Sequence, residues 1–377
     1  MIKIEKNKFI FLHICSILLI FLINNLAQCE SLYPIVLKNR VGYINRNGEI
    51  IVKPKFETQF QISYNLYQNK YYPFYELPEN AYFSEGKAVF RQSWKILFIK
   101  FGYDFGVVDS VGKIIIPKQE IEYGPFHCNR SKIKIFNNKF LFLDEAYTYV
   151  NPSGEIISNG EPVFSYASNF SDNAAIVLVN DKYYYIDTLC KSLFDKGFEN
   201  AEPFQNGTAA VKIDSLWGII DKTGNLIIPS KYLRIWSKSN GFYRVYDGRN
   251  YAFINDKEVN LFKNSFPRAD DFSEGYASVK FGEFDYGFID TLGNIAFKFD
   301  NCNAISSFHN GLARVQIGEK WGYINTKGEF TIKPQYDYAI DFSDGFALVW
   351  QGNNVYIINS EGKHIWQYYF GEENGKK

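Results

Sequence analysis

The sequence predicts an all-β protein: a tandem array of about nine three-stranded antiparallel units in an open curved stack, with a β-propeller-like ring as the alternative. Three observations predict it. Aromatic residues make up 18% of the 377 residues, with 35 Phe and 28 Tyr beside a single Met, and aromatic side chains fit the pleated surface of a sheet. Gly or Asn recurs at positions 86, 129, 173, 207, 241, 275, 311 and 345, at intervals of 34–36 residues from 173 onward. A second series at 42, 106, 148, 184, 218, 252, 287, 322 and 356 carries Asp or Asn three residues further on. A fixed period of this length marks units that bury their apolar faces only by stacking on one another.

Residues 1–29 read as an address. Lys3, Lys6 and Lys8 precede an apolar run over residues 9–23, short for a membrane span and suited to a signal-peptide core. Ala27 and Cys29 are the small residues of a signal peptidase site. Alternatively, Leu26-Ala27-Gln28-Cys29 is lipobox-like, with Cys29 as the lipidated N-terminus, although Gln28 departs from the small residue such a site has there. A retained N-terminal anchor is the third form. The expected location is outside the cytoplasm, in the periplasm or at the cell surface, with lipid or an uncleaved signal as the only contact with a membrane.

The array itself spans residues 31–366. Phe204-Gln-Asn-Gly207-Thr-Ala209-Ala-Val211 precedes Trp217-Gly218-Ile-Ile220-Asp221-Lys-Thr-Gly224, and then Ile228-Pro229-Ser-Lys-Tyr232. The same order runs from Phe308 through Trp321-Gly322 to Pro334-Gln-Tyr336, and again from Phe342 to Gly362. Gly and Asn take positive φ most readily, so the first series marks a left-handed turn position. In the second series Asp or Asn is followed three residues later by Gly48, Gly112, Gly154, Gly224, Gly293, Gly328 or Gly362, and only Cys190 and Glu258 break the rule. Asp or Asn at the start with Gly at the end is the pattern of a type I turn closed by a glycine bulge. The alternating stretches on either side are the strands.

Two departures from the period predict insertions. The first, residues 58–80, is rich in aromatics: Tyr64, Tyr67, Tyr71, Tyr72, Phe74 and Tyr75. A smaller one is expected around 118–124. Residues 367–377 form a polar tail.

The pattern Phe-x-x-Gly-x-Ala-x-Val, Trp-Gly-Tyr/Ile-Ile-Asp/Asn-x-x-Gly and Pro-x-Tyr resembles the bacterial WG-repeat family. The Trp-Gly pair stands at Trp217-Gly218 and Trp321-Gly322, and the units around Tyr149, Tyr185 and Phe253 lack the glycine. The resemblance implies β-rich repeats on exported or surface proteins and supplies no catalytic residue.

The chemistry-bearing residues point the same way. Lys+Arg and Asp+Glu are 41 each, so no basic surplus favours nucleic acid. Cys128, Cys190 and Cys302 show no metal-ligand spacing and read as small buried residues. His127 and His309 occupy a repeat position in a turn. Asp109, Asp187, Asp221 and Asp290 have a turn role, and Asp270-Asp271 reads as solvated surface. No catalytic, cofactor or metal residue is therefore assigned, and no cofactor is expected. The expected function is an exported, non-enzymatic binding or scaffold module at the cell envelope. The partner is a protein or an envelope glycan, met through Tyr64, Tyr67, Tyr71, Tyr72, Phe74 and Tyr75. A glycan-binding protein and a hydrolase on a propeller-like ring are the alternatives.

Overall fold

The computed structural model describes residues 32–37, 40–57, 61–67, 70–76, 83–96, 99–119, 121–136, 145–157, 164–260, 265–352 and 354–368. Among the described residues every regular element is a β-strand. A two-stranded hairpin stands by itself, and the other strands form eight sheets, the blades of a β-propeller ring. Seven blades hold one repeat unit each. The first is six-stranded and holds two, joined by the single pair Glu57–Arg91, so nine units lie around the ring.

The ring closes, so the propeller-like alternative read from the sequence holds and the preferred open stack is corrected. The cause is the two-faced apolar pattern of the strands. In the last unit Phe346–Gln351 is an Ala-x-Val strand. Its Ala347 and Val349 pack back on Trp321, Tyr323 and Ile332 of the preceding unit. Its Phe346, Leu348 and Trp350 pack forward on Tyr33, Ile35 and Ile44 of the first unit. Successive side chains of a strand point to opposite faces, so every unit has an apolar face on each side. An open stack would leave one such face exposed at either end, and closure removes both from water. Closure is by side-chain packing, because the first and last units share no sheet.

A fourth strand does follow the Pro-x-Tyr segment, and it belongs to the next unit. The two-residue strands Arg234–Ile235 and Tyr338–Ala339 each pair with the strand that follows them.

The glycine of the Trp-Gly pair has a steric cause. Trp321 pairs with Tyr336 and Tyr323 with Ile332, so the Pro334 segment bulges opposite Gly322. A Cβ on Gly322 would lie 2.5 Å from the Ile332 carbonyl oxygen and 2.6 Å from the Pro334 nitrogen. Gly218 and Gly42 meet the same crowding. Units with Thr148, Tyr184 or Ala252 at this position form three-stranded blades. In them the last edge is reduced to isolated bridges such as Ile186–Ser192 and Ile254–Asn260.

Both predicted turns form. In the second, Gly224 N–H donates to the Asp221 carbonyl, and the Asp221 carboxylate accepts from the Thr223 and Asn225 N–H groups. Asp109, Asp187 and Asp290 cap their turns in the same way. Cys190 and Glu258 take φ of 61° and 58° where the other units have Gly, so the turn holds despite its unusual residue. The Thr223 hydroxyl and backbone hydrogen bonds hold the Asp221 carboxyl below the usual Asp range. Its folded-state pKa is thus depressed, and its contribution is present above pH 3.8 and lost as pH falls through the lower, folded value. Asp221→Ala is expected to cost about 1 kcal/mol at neutral pH, measured by denaturant unfolding, and to shrink that cost under acid.

The first turn has two left-handed residues rather than one. Asp344 and Gly345 have φ of 53° and 86°, and Ser343 and Phe346 exchange both backbone hydrogen bonds, which is a type I′ turn. The residue before the Gly also ties unit to unit. Glu274 accepts from Gly311 N–H, Asn310 from Gly345 N–H, and Glu85 from the Cys128 and Asn129 N–H groups.

Buried tyrosines tie the units a second time. Tyr149, Tyr185 and Tyr323 donate to the carbonyls of Ser168, Glu202 and Ile340, each in the following unit, at 2.6–2.7 Å. Burial holds all three phenols well above the usual tyrosine range. Tyr323→Phe leaves the Ile340 carbonyl without this donor. A loss of about 1–3 kcal/mol is expected in equilibrium unfolding.

Candidate interaction face

Register gives the ring two distinct faces. In the unit Thr208–Ile213 and Leu216–Asp221, Thr208 pairs with Asp221 and Ile213 with Leu216. Both turn series therefore lie on one face, and the short hairpins joining the Ala-x-Val and Trp-Gly strands lie on the other.

The additions to the repeat gather on the hairpin face. The aromatic insertion contains the strands Gln61–Tyr67 and Lys70–Glu76, an antiparallel hairpin paired with no other sheet. It pairs Tyr64 with Pro73, Asn65 with Tyr72, Leu66 with Tyr71, Ser63 with Phe74 and Ile62 with Tyr75. The six aromatic positions singled out in the sequence are thus brought onto one hairpin, divided between alternate register positions. The next unit lengthens its own hairpin: Lys87–Ile96 and Ile99–Asp109 have 10 and 11 residues, against 6 each in Thr208–Ile213 and Leu216–Asp221. The third unit also has extra residues between Arg130–Phe136 and Glu145–Val150. The smaller insertion expected around 118–124 is corrected accordingly. Ile114–Gln119 and Glu122–His127 are ordinary strands there, and the added length lies in the two hairpins. The sequence intervals gave the added length correctly, and only the strand ends placed it.

The root of the insertion is charged and half-buried. Glu57 pairs with Arg91 across the double blade. The Arg91 guanidinium lies 3.8 Å from the Tyr103 ring centre. Burial lowers its pKa, while Tyr103, Glu57 and Glu122 act in the opposite direction. The single Glu57–Arg91 backbone pair and the Arg91–Tyr103 stack mark the point where the insertion leaves the blade.

A second cluster was not foreseen from the sequence. Trp236 stands where neighbouring units carry Glu202, Asp270 or Ile340. The Arg244 guanidinium lies 4.0 Å and that of Arg234 5.3 Å from its ring, and Arg234 also stacks at 3.9 Å on Trp217. Arg234 pairs with Glu202, and Arg244 with Asp271 at 2.9 Å. Asp270 accepts from the Ser278 hydroxyl at 2.7 Å, so the reading of Asp270-Asp271 as solvated surface is corrected. Burial raises the Asp271 carboxyl and Arg244 opposes that rise. Arg314 and Asp341 repeat the pair two units on, at 2.9 Å. Both arginines sit at the same repeat position, Tyr243-Arg244-Val245 and Ala313-Arg314-Val315, and reach an aspartate in the next unit. Aligning the units column by column would have shown that match. The cluster is engaged with itself and joins three units.

The remaining candidates are placed as follows. Cys29 and residues 1–29 lie outside the described residues, as do residues 369–377. The last strand, His364–Tyr368, runs into the expected tail. Cys128, Cys190 and Cys302 are free thiols. Burial pushes Cys190 and Cys302 up to about 11, which keeps them protonated and weakly nucleophilic at neutral pH. Cys128 occupies a left-handed turn position next to His127, and His309 opens a turn. His364 stacks on Tyr356 at 3.9 Å, and burial lowers its pKa. Among the described residues no group of three or more His, Cys, Asp or Glu is placed to hold a metal ion.

A family model described as "WG containing repeat" matches residues 42–71, 147–183, 185–217, 217–251, 286–321 and 321–354. The chain belongs to the WG-containing repeat family. No curated protein matches it. Among solved structures, the WG-repeat ring is similar to one titled "Crystal structure of the eukaryotic initiation factor". That likeness has a TM-score of 0.59 at 13% identity and covers 91% of this chain and 97% of that one. It is also similar to BamB from Moraxella catarrhalis, with a TM-score of 0.38 at 11% identity over 73% of this chain and 94% of that one. At 13% identity the first likeness concerns the fold alone.

Proposed function

We propose that this WG-repeat propeller is an exported, non-enzymatic binding module at the cell envelope, and that it engages a protein partner through the hairpin face of its first three units. One observation carries the reading: three consecutive units depart from an otherwise regular ring, and all three depart on the same face. Ring stability needs none of this added length, since the later units close without it. The tyrosine-rich insertion hairpin would supply contact area with polar tips, as interface anchors do. The turn carboxylates and the Arg244 and Arg314 pairs are engaged in the framework, whereas the hairpins are additions to it.

The test is photo-crosslinking of the full chain in its native envelope, with the crosslinker at Tyr67 on the hairpin or at Lys327 in a turn. A discrete protein adduct from Tyr67 and none from Lys327 is expected. Deleting residues 64–78 removes the crosslinking position and should leave cooperative unfolding unchanged. Adducts to glycan would replace the protein partner with an envelope polysaccharide. No adduct from Tyr67 would overturn the reading.

A further inference from the structure

We infer that the turn face of the ring rests on a lipid membrane, with Val111, Leu189 and Leu292 entering the bilayer interface. The inference shares the envelope placement proposed above and is independent of the partner on the hairpin face.

The first argument is where apolar surface is left uncovered. Among the described residues seventeen large hydrophobic side chains are exposed, and twelve of them lie in the second turns or in the first residues after them. The two most exposed are turn tips, Leu292 at 78% and Val111 at 74%, and a third tip, Leu189, is exposed to 56%, level with Ile295. Other units place Asn47, Ser153, Thr223 or Lys327 at the same tip, so the turn itself requires no aliphatic residue. Below the tips Ile114, Ile156, Leu226, Ile295 and Phe330 continue the apolar rim. With twelve of these side chains on the turn face and five elsewhere, the uncovered apolar surface is concentrated on one side of the ring.

The second argument is where the chain enters. Tyr33 pairs with Ile44, which places Leu32 opposite Asn45, the residue that opens the second turn. The chain therefore joins the ring at the turn face. Cys29 lies three residues before Leu32, a reach of about 10 Å at full extension, and the apolar run ending at residue 23 lies nine residues before it, about 30 Å. A lipid on Cys29 or a retained apolar run would hold the bilayer beside this face and away from the hairpins. A single lipid anchor binds marginally and needs a second signal, which the aliphatic tips would supply.

The experiment uses the full chain reconstituted with vesicles of phosphatidylethanolamine and phosphatidylglycerol. A photoreactive residue is placed at position 111, 189 or 292 on the turn face, or at 233 or 284 on the hairpin face. Lipid adducts at least tenfold more abundant from the turn positions are expected. The triple variant Val111→Ser, Leu189→Thr, Leu292→Thr uses residues that other units tolerate at the tip, and its vesicle-bound fraction should fall at least threefold. Equal lipid labelling of both faces, labelling of the hairpin face alone, full retention by the triple variant, or a chain that stays in the supernatant would each overturn the inference. Loss of the Tyr67 protein adduct would leave it standing, so the two readings fail separately.

Discussion

Gly322→Val is expected to destabilise the ring by about 3 kcal/mol or more, measured as a fall in the midpoint of equilibrium unfolding. The built Cβ already lies 2.5–2.6 Å from the backbone of Ile332 and Pro334, and valine adds two methyl groups beyond it. The obstacle is backbone in a paired strand, so no side-chain rotation relieves it. The edge strand Phe330–Tyr336 must peel from Lys320–Asn325, and Trp321 and Ile332 then lose their places in the core shared with the last unit. Gly311→Ala is the control. Nothing lies within 4 Å of its Cβ, and the cost there comes from a φ of 79° alone, about 1–2 kcal/mol. If the two variants unfold together, crowding by the Pro334 bulge is not what selects glycine in the Trp-Gly pair.

That contrast shows how much of the molecule was legible. Repeat length, the second turn and its Asp or Asn cap could be read directly, because each rests on local chemistry: a side chain bonding its own backbone, and a glycine at positive φ. The first turn was read only in part. Asn129 and Gly207 announce a left-handed position, but the left-handed residue before each, such as Cys128 or Asn206, belongs to types that also sit elsewhere. Ring closure was legible only as an alternative to the open stack. The strand Phe346–Gln351 is apolar on both faces whether its forward face meets another unit, the first unit or nothing. The Arg244–Asp271 pair was hidden for a related reason, since its partners lie 27 residues apart and meet only through stacking. As for the candidate site, composition identified the aromatic insertion. Its hairpin form, and its place beside two lengthened neighbours, came from strand ends that a sequence interval averages away.

Ring closure has a quantitative consequence. Phe346→Ala is expected to cost about 3–5 kcal/mol, as for a buried phenylalanine within any core. Phe346 is 1% exposed, and its ring centre lies 5.2 Å from that of Tyr33 at the start of the first unit. In an open stack this side chain would face water on the terminal surface, and its removal would cost little. Phe308→Ala sets the scale, because Phe308 is fully buried between two interior units against Phe288 and Tyr276. Comparable losses for the two variants would place the closing contact on the same footing as an interior one. The closing contact joins residues more than 300 positions apart, and a long closure carries only a slowly growing entropic cost. The apolar surface it buries offsets that cost once the eight interior contacts have placed the ends side by side. Phe346→Ala should therefore also raise the unfolding rate at the ends first, with hydrogen exchange accelerating in Tyr33–Leu37 and Asn354–Asn359 before Thr208–Ile213. Uniform acceleration along the chain would mean that the ring opens as one unit rather than at its closing contact.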